Sequence, residues 1–303
     1  MTAAPAEFDA RAYLAARREQ VDAHLEQVMD LRSELFGGIV ESMRYSLFAG
    51  GKRVRPILAL VACEAVGGDC ELALPAAAAL ELMHTYTLIH DDLPAMDDDD
   101  FRRGRPTNHK VFGEAMALLA GCGLLSIAFE IVARQATEGR MAHERATRAI
   151  ALLADTIGWR GVIGGQAIDI DATGKEIDLA RVRDICFHKT ATLIAASVVV
   201  GAIAGGGDEG QIAALERFGR AIGLAFQVAD DILNVEGDAE KLGKGTGTDA
   251  DAGKTTFPAV MGLDGAKTYA RELLDEANAA LAPFGPRADA LRAIADYIVS
   301  RDR

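Results

Sequence analysis

Cysteine, proline, aromatic rings and positive charge are all scarce in this chain. Of 303 residues only four are cysteine, eight are proline and one is tryptophan, and aromatics make up 6%. Cys63, Cys70, Cys122 and Cys186 form no CxxC pair and sit mostly in apolar runs. They read as small buried hydrophobes in a reducing compartment. With 32 basic against 45 acidic residues the net charge is −13, so the basic stripe of a general nucleic-acid binder is missing. Any local cluster of cations then has a specific anion to hold. The first twenty residues lack an apolar run and carry Glu7 and Asp9, which predicts neither a signal nor a transit peptide. Residues 190–207 are uncharged over 18 positions, the lower limit for a membrane span at about 18 residues. Their Ala, Gly, Thr and Ser content, with Phe187 as the only aromatic neighbour, favours a buried central helix instead. The expectation is a soluble, cytoplasmic protein without stable membrane insertion.

What is present is helix-forming. The prolines stand at 5, 56, 75, 94, 106, 258, 283 and 286, leaving residues 107–257 free of them, and Pro is the strongest helix breaker. Ile212, Leu215, Phe218, Ile222, Phe226, Ala229 and Leu233 recur at three- or four-residue intervals, a helical period. The pattern predicts helices over 8–32, 37–48, 55–66, 74–92, 111–136, 143–157, 160–170, 178–204, 208–235, 256–281 and 287–301, with no convincing strand. Half the residues are apolar and a quarter charged, as in ordinary globular proteins. Length alone permits two domains, yet no linker divides the chain. The fold class expected is all-α, one domain over 1–303.

Two acidic constellations carry chemistry. Residues 91–100 read DDLPAMDDDD. Pro94 should end the preceding helix, leaving Asp91 near a helix C-terminus, where a cation is welcome. Crowded carboxylates of this kind suit Mg²⁺, which takes oxygen ligands and shares its shell with water and phosphate. In FQVADDILN, Gln227, Asp230, Asp231 and Asn234 fall at i, i+3, i+4 and i+7 and share one helical face. Unpaired carboxylates on an otherwise apolar helix would be costly, so the two acid pairs suggest one cavity with metals on opposite walls.

Cations accompany them. GGKRVRP supplies Lys52, Arg53 and Arg55 at a glycine turn entering a helix, and FRRGRP supplies Arg102, Arg103 and Arg105 just after the first acids. Lys189 opens the uncharged helix, and Lys244 and Lys254 lie in or beside the Gly-rich 243–253 segment. Arginine forks and lysine ammoniums beside metals point to a diphosphate ligand. GKT at 253–255 is no P-loop, because Thr248 stands where glycine is needed and no strand precedes it. His90-Asp91 resembles the dyad of helical metal-dependent phosphohydrolases, a reading that leaves the second acidic face and the basic turns unused. His84, seven residues before Asp91, lies on the same face.

Taken together, GGKRVRP, LIHDDLPAMDDDDFRRGRPTNH, FGEAMALLAG, GGQAIDID, HKT, FQVADDILN and LGKGTGTDADAGKTTFP resemble the bacterial short-chain trans-polyprenyl diphosphate synthases. The likeness runs from about residue 37 to 303 and is nearest the farnesyl/geranylgeranyl group. It implies an all-α bundle of long helices around a deep central cavity, a homodimer, and Mg²⁺-dependent joining of an allylic diphosphate to isopentenyl diphosphate. By the same resemblance Asp91 and Asp97 would bind two Mg²⁺ ions, supported by Asp92, and Asp230 a third, supported by Asp231. Arg102, Lys189, Lys244 and Lys254 would hold the allylic diphosphate. Gly51, Lys52, Arg55, His84 and Arg103 would form the isopentenyl diphosphate site, and Thr190 and Gln227 would lie near the reacting carbons. Tyr86, with Thr87 beside it, marks product length; an aromatic there favours farnesyl diphosphate (C15), with geranylgeranyl diphosphate (C20) the alternative. Two positions depart from the family pattern, Asn234 and Cys122, each standing where Asp is usual. A terpene cyclase would lack the GGKRVRP turn, and a non-catalytic partner subunit would be expected to lose an acidic motif.

Overall fold

The computed structural model describes residues 9–236 and 255–300. Its helices are α1 (Ala10–Val28), α2 (Gly37–Leu47), α3 (Val54–Ala65), α4 (Cys70–Asp91), α5 (Asn108–Phe112), α6 (Glu114–Thr137), α7 (His143–Ile157) and α8 (Val162–Ala172). They continue as α9 (Leu179–Cys186), a π-helical turn (Phe187–Ala191), α10 (Thr192–Gly205) and α11 (Glu209–Glu236). Shorter segments follow at Phe257–Met261, Leu263–Ala280, Ala282–Ala288 and Asp289–Ser300. Among the described residues the only β-structure is a two-stranded antiparallel hairpin, β1 (Phe101–Arg102) with β2 (Arg105–Pro106), too short for an alternating pattern to announce.

Local chemistry sets the ends. Asp69 caps α4 by accepting from the Glu71 N–H at 3.0 Å, so this helix starts at Cys70, several residues before the expected 74. Asp208 and Gln211 cap α11 reciprocally, each side chain accepting from the other's backbone N–H at 2.8 and 2.9 Å. Three expected helices are interrupted. Gly113 (φ 85°) and Gly262 (φ 73°) break two of them with backbone values that favour glycine, and the π-helical turn separates α9 from α10.

The apolar run forms the centre of the bundle. From Leu193 to Ala204 every residue of α10 is buried, and α10 packs against α3, α4, α7 and α11. Its neighbours come in backbone to backbone. A Cβ at Gly201 would lie 1.9 Å from Ala59 O, one at Gly219 2.7 Å from Ala195 Cα, and one at Gly223 2.8 Å from Ala191 Cα. Helices α4, α6 and α9–α10 are long and apolar enough to cross a membrane by length and composition. Most of the α4 and α9–α10 windows is buried, but only 33% of the α6 window is. Leu118 and Leu119 of α6 stay 47% and 51% exposed. The cysteines depart from expectation: only Cys63 is buried, while Cys70 and Cys186 are half-buried and Cys122 is exposed on α6.

Candidate active site

The chemistry-bearing residues gather at the C-terminal end of α4, the start of α3, the α8–π-turn contact and the C-terminal third of α11. Gly50 and Gly51 turn the chain into α3 with φ of 94° and 131°. That turn divides its cations. Arg53, itself left-handed (φ 52°), points inward: its guanidinium donates to Glu81 Oε1 at 2.7 Å, Asp22 Oδ1 at 2.8 Å and Leu47 O at 2.8 Å. It is a buried strut between α1, α2 and α4. Arg55 and His84 are half-buried by residue, and Lys52 is exposed. Burial pulls the Arg55 guanidinium down to about 10, partly offset by Glu81. Burial, then Arg55 and Arg103, push the His84 imidazole well below its usual value, leaving it neutral, a hydrogen-bonding rather than a charged group.

Arg103 joins the two basic turns, because its guanidinium donates to the Gly50 carbonyl. A Cβ on Gly51 would lie 2.7 Å from Arg103 Nη1; only glycine admits this stacking. Arg102, by contrast, is engaged with the acids, 2.7 Å from Nε and 2.6 Å from Nη2 to Asp92 Oδ1.

On α4, Asp91 is half-buried and Asp92 buried. Burial raises the Asp91 carboxyl to about 6; Lys189 opposes this and Asp97 adds to it. An ionised Asp91 thus stands short of positive charge, and an all-oxygen donor set of Asp91, Asp97 and Asp230 fits a hard divalent cation. Among the described residues no three His, Cys, Asp or Glu side chains enclose a metal by themselves. Asp230 is exposed on α11 and Asn234 half-buried; Arg55 feels the charge of Asp230, so the second acidic face lies within electrostatic reach of the basic turns.

Asp231 faces inward from α11. It accepts from Gln227 Nε2 at 2.8 Å and from the Phe257 N–H at 3.0 Å. With its amide nitrogen held this way, Gln227 turns its oxygen away from the carboxylate. Gln227, Asp231, Lys189 and Thr190 line one cavity of about 220 Å³ with Asp169, Thr173, Thr255 and Thr256. Lys244 and Lys254 lie outside the described residues. A larger groove of about 930 Å³ between α7, α8, α10 and α11 lacks such a constellation, and its Arg148, Arg160 and Arg220 are each paired with an acid.

Two residues that the motifs left without a role are placed tellingly. Asp169, within GGQAIDID, accepts from Lys189 Nζ at 2.5 Å. His90 turns to α6, where its Nε2 lies 3.1 Å from Leu118 O. Its ring meets Tyr86 edge-on with centroids 4.7 Å apart. Tyr86 itself packs towards Gly121, whose Cβ position would be 3.3 Å from its ring. Tyr86 lies five residues from Asp91, about 140° around the helix, whereas Thr87, one turn back, lies about 40° away.

A family model described as "Polyprenyl synthetase" matches residues 38–283. The chain is 47% identical over 301 residues to the heterodimeric geranylgeranyl pyrophosphate synthase large subunit 1 of Arabidopsis thaliana, covering 98% of this chain and 81% of that one. It is 48% identical over 297 residues to the geranylgeranyl pyrophosphate synthase of Catharanthus roseus, covering 97% and 82%. Among solved structures, an FPP/GFPP synthase from Zymomonas mobilis superposes with a TM-score of 0.85 at 36% identity, covering 96% of this chain and 99% of that one. The chain belongs to the polyprenyl synthetase family.

Proposed function

We propose that this protein is a Mg²⁺-dependent short-chain trans-prenyltransferase that condenses isopentenyl diphosphate with allylic diphosphates as far as geranylgeranyl diphosphate (C20). The observation that carries the product length is the pair Thr87 and Tyr86. Small Thr87 lies one turn behind Asp91 on nearly the same face, while the Tyr86 ring is turned onto His90 and α6. Relatives named for geranylgeranyl synthesis lend further support. Farnesyl diphosphate is the second reading, favoured by the presence of an aromatic at position 86.

The residues divide the work. Arg55, Arg103 and Lys52, with neutral His84, hold the diphosphate of the isopentenyl substrate. Arg102 and Lys189 hold that of the allylic substrate. Three Mg²⁺ ions at Asp91, Asp97 and Asp230 would supply the charge that draws electrons onto the leaving diphosphate. As the allylic C–O bond breaks, its electron pair leaves with the diphosphate. The oxygens of Thr190 and Gln227 present dipoles to the cation left behind, and the isopentenyl double bond, held close by its own anion site, attacks it. A proton then passes from the new cation to the departed diphosphate, and the apolar helices exclude water that would quench the cation. The exposed apolar face of α6 at Leu118 and Leu119 supports a homodimer, and four free cysteines suit the cytoplasm.

The test is product analysis with Mg²⁺, isopentenyl diphosphate and each allylic primer. C20 is expected as the longest main product. Thr87→Phe should shorten it to C15, whereas Tyr86→Ala should leave it unchanged. A wild-type product ending at C15 that Tyr86→Ala lengthens would establish the second reading instead.

A further inference from the structure

Lys189 is held at both ends by one face of α8. Its backbone N is so close to Gly165 that a Cβ there would lie 2.2 Å away. Its ammonium meets Asp169 Oδ2 at 2.5 Å. Positions 165 and 169 are i and i+4, one above the other on the helix, so the spacing G-x-x-x-D forms a two-point jig for a single lysine. The lysine itself sits in a π-helical turn, Phe187–Ala191, a local departure from the α-helix of the kind that collects at functional sites. Both partners are largely shielded, with side-chain exposures of 24% and 16%.

Without Asp169 this geometry would not hold. A lysine ammonium is a compact charge on a flexible stem, and the carboxylates next in range are Asp91 and Asp97. An untethered ammonium would settle on one of them. There it would compete with the divalent ion and leave the place where charge appears on the departing group. Burial works against the ammonium; Asp169, the larger contributor, together with Asp91 and Asp97 more than offsets it.

We propose that Asp169 is a positioning residue for the ionisation step, holding the Lys189 ammonium where the leaving diphosphate of the allylic substrate develops charge and away from Asp91 and Asp97. The inference rests on the prenyltransfer reading above and adds to it a residue that acts only through Lys189.

The experiment compares wild type with Asp169→Asn, Asp169→Glu, Lys189→Met and the double variant Asp169→Asn/Lys189→Met. Steady-state kinetics are measured for both substrates, and binding of inorganic diphosphate with Mg²⁺ is measured by calorimetry. Asp169→Asn should lower kcat about a hundredfold, as expected for a misplaced charged group. The KM for isopentenyl diphosphate should stay within about twofold of wild type, because its site is untouched. Diphosphate affinity should fall, and Asp169→Glu should recover much of both losses. The double variant should be no slower than Lys189→Met, since an effect exerted through Lys189 disappears with it. A wild-type-like kcat in Asp169→Asn, unchanged diphosphate binding, or a further loss in the double variant overturns the assignment. If wild type itself fails to condense the two substrates, the prenyltransfer reading falls and takes this inference with it.

Discussion

Arg53 offers a sharp test of how the GGKRVRP turn is used. Its side chain and that of Glu81 are each only 3% exposed, whereas Asp22, its second acidic partner, is 35% exposed. Replacing Arg53 by Met keeps the apolar stem but strands the Glu81 carboxylate in the interior, while Asp22 can take up water in exchange. Breaking a buried ion pair from one side costs about 3–5 kcal/mol, which is about two to four powers of ten in the folding equilibrium. Arg53→Met should therefore lose that much in urea unfolding followed by circular dichroism at pH 7 and fixed protein concentration. The KM for isopentenyl diphosphate should stay within about twofold of wild type, because no substrate-binding group has been removed. The double variant Arg53→Met/Glu81→Leu removes the stranded charge as well and should recover most of the loss. An Arg53→Met protein as stable as wild type but with a raised KM would refute this reasoning and return Arg53 to the diphosphate site. A double variant no more stable than the single one would refute the buried-charge account.

Further outcomes follow from the same geometry. Asp91→Asn should cut turnover by orders of magnitude while stabilising the metal-free protein at pH 7. The wild-type carboxyl is raised to about 6, so its contribution to stability is complete below its usual value near 3.8 and is lost as pH rises through about 6. The gain should be about 2–3 kcal/mol at pH 7 and vanish near pH 4; equal stabilities at pH 7 would refute it. Asp230→Ala should likewise lower turnover by orders of magnitude with the fold intact, and near-normal rates at saturating Mg²⁺ would remove Asp230 from the metal site. Gly51→Ala combines a φ of 131° with a Cβ 2.7 Å from Arg103 Nη1. It should cost about 1–3 kcal/mol of stability and raise the KM for isopentenyl diphosphate more than that for the allylic substrate; equal KM changes would show that Arg103 serves neither site selectively.

Much of this molecule can be read from its residues because helices announce themselves locally. The period in 212–233 and the proline-free tract anticipated α11 and most of the bundle, and the uncharged run did become the buried core helix. What escaped notice depends on partners far apart in the chain. Arg53 looks like its neighbours Lys52 and Arg55 until the fold brings up Glu81 and Asp22. Asp169 stood inside a recognised motif, yet its role needs Lys189, twenty residues on. The start of α4 was missed because Pro75 resembles a helix beginning, whereas Asp69 caps a turn that already exists when the proline arrives. The position of Tyr86 along α4 can be read from the sequence, but the direction of its ring, onto His90 and towards Gly121 of α6, depends on the packing of the two helices.

The glycine contacts around α10 have a mechanical consequence. At Gly165, Gly201, Gly219 and Gly223 the helices α8, α3 and α11 come so close to α10 or its π-helical turn that an added Cβ would fall within 3 Å of main-chain atoms, so little in this wall can rotate aside. It is an anvil. The α4–α6 seam is built the other way, through the His90 and Tyr86 rings meeting Gly121, and rings can change rotamer or be exchanged one at a time. A methyl group added at Gly165 would therefore disturb the π-helical turn and Lys189 directly, whereas a change at the α4–α6 seam can be taken up by the ring that meets it.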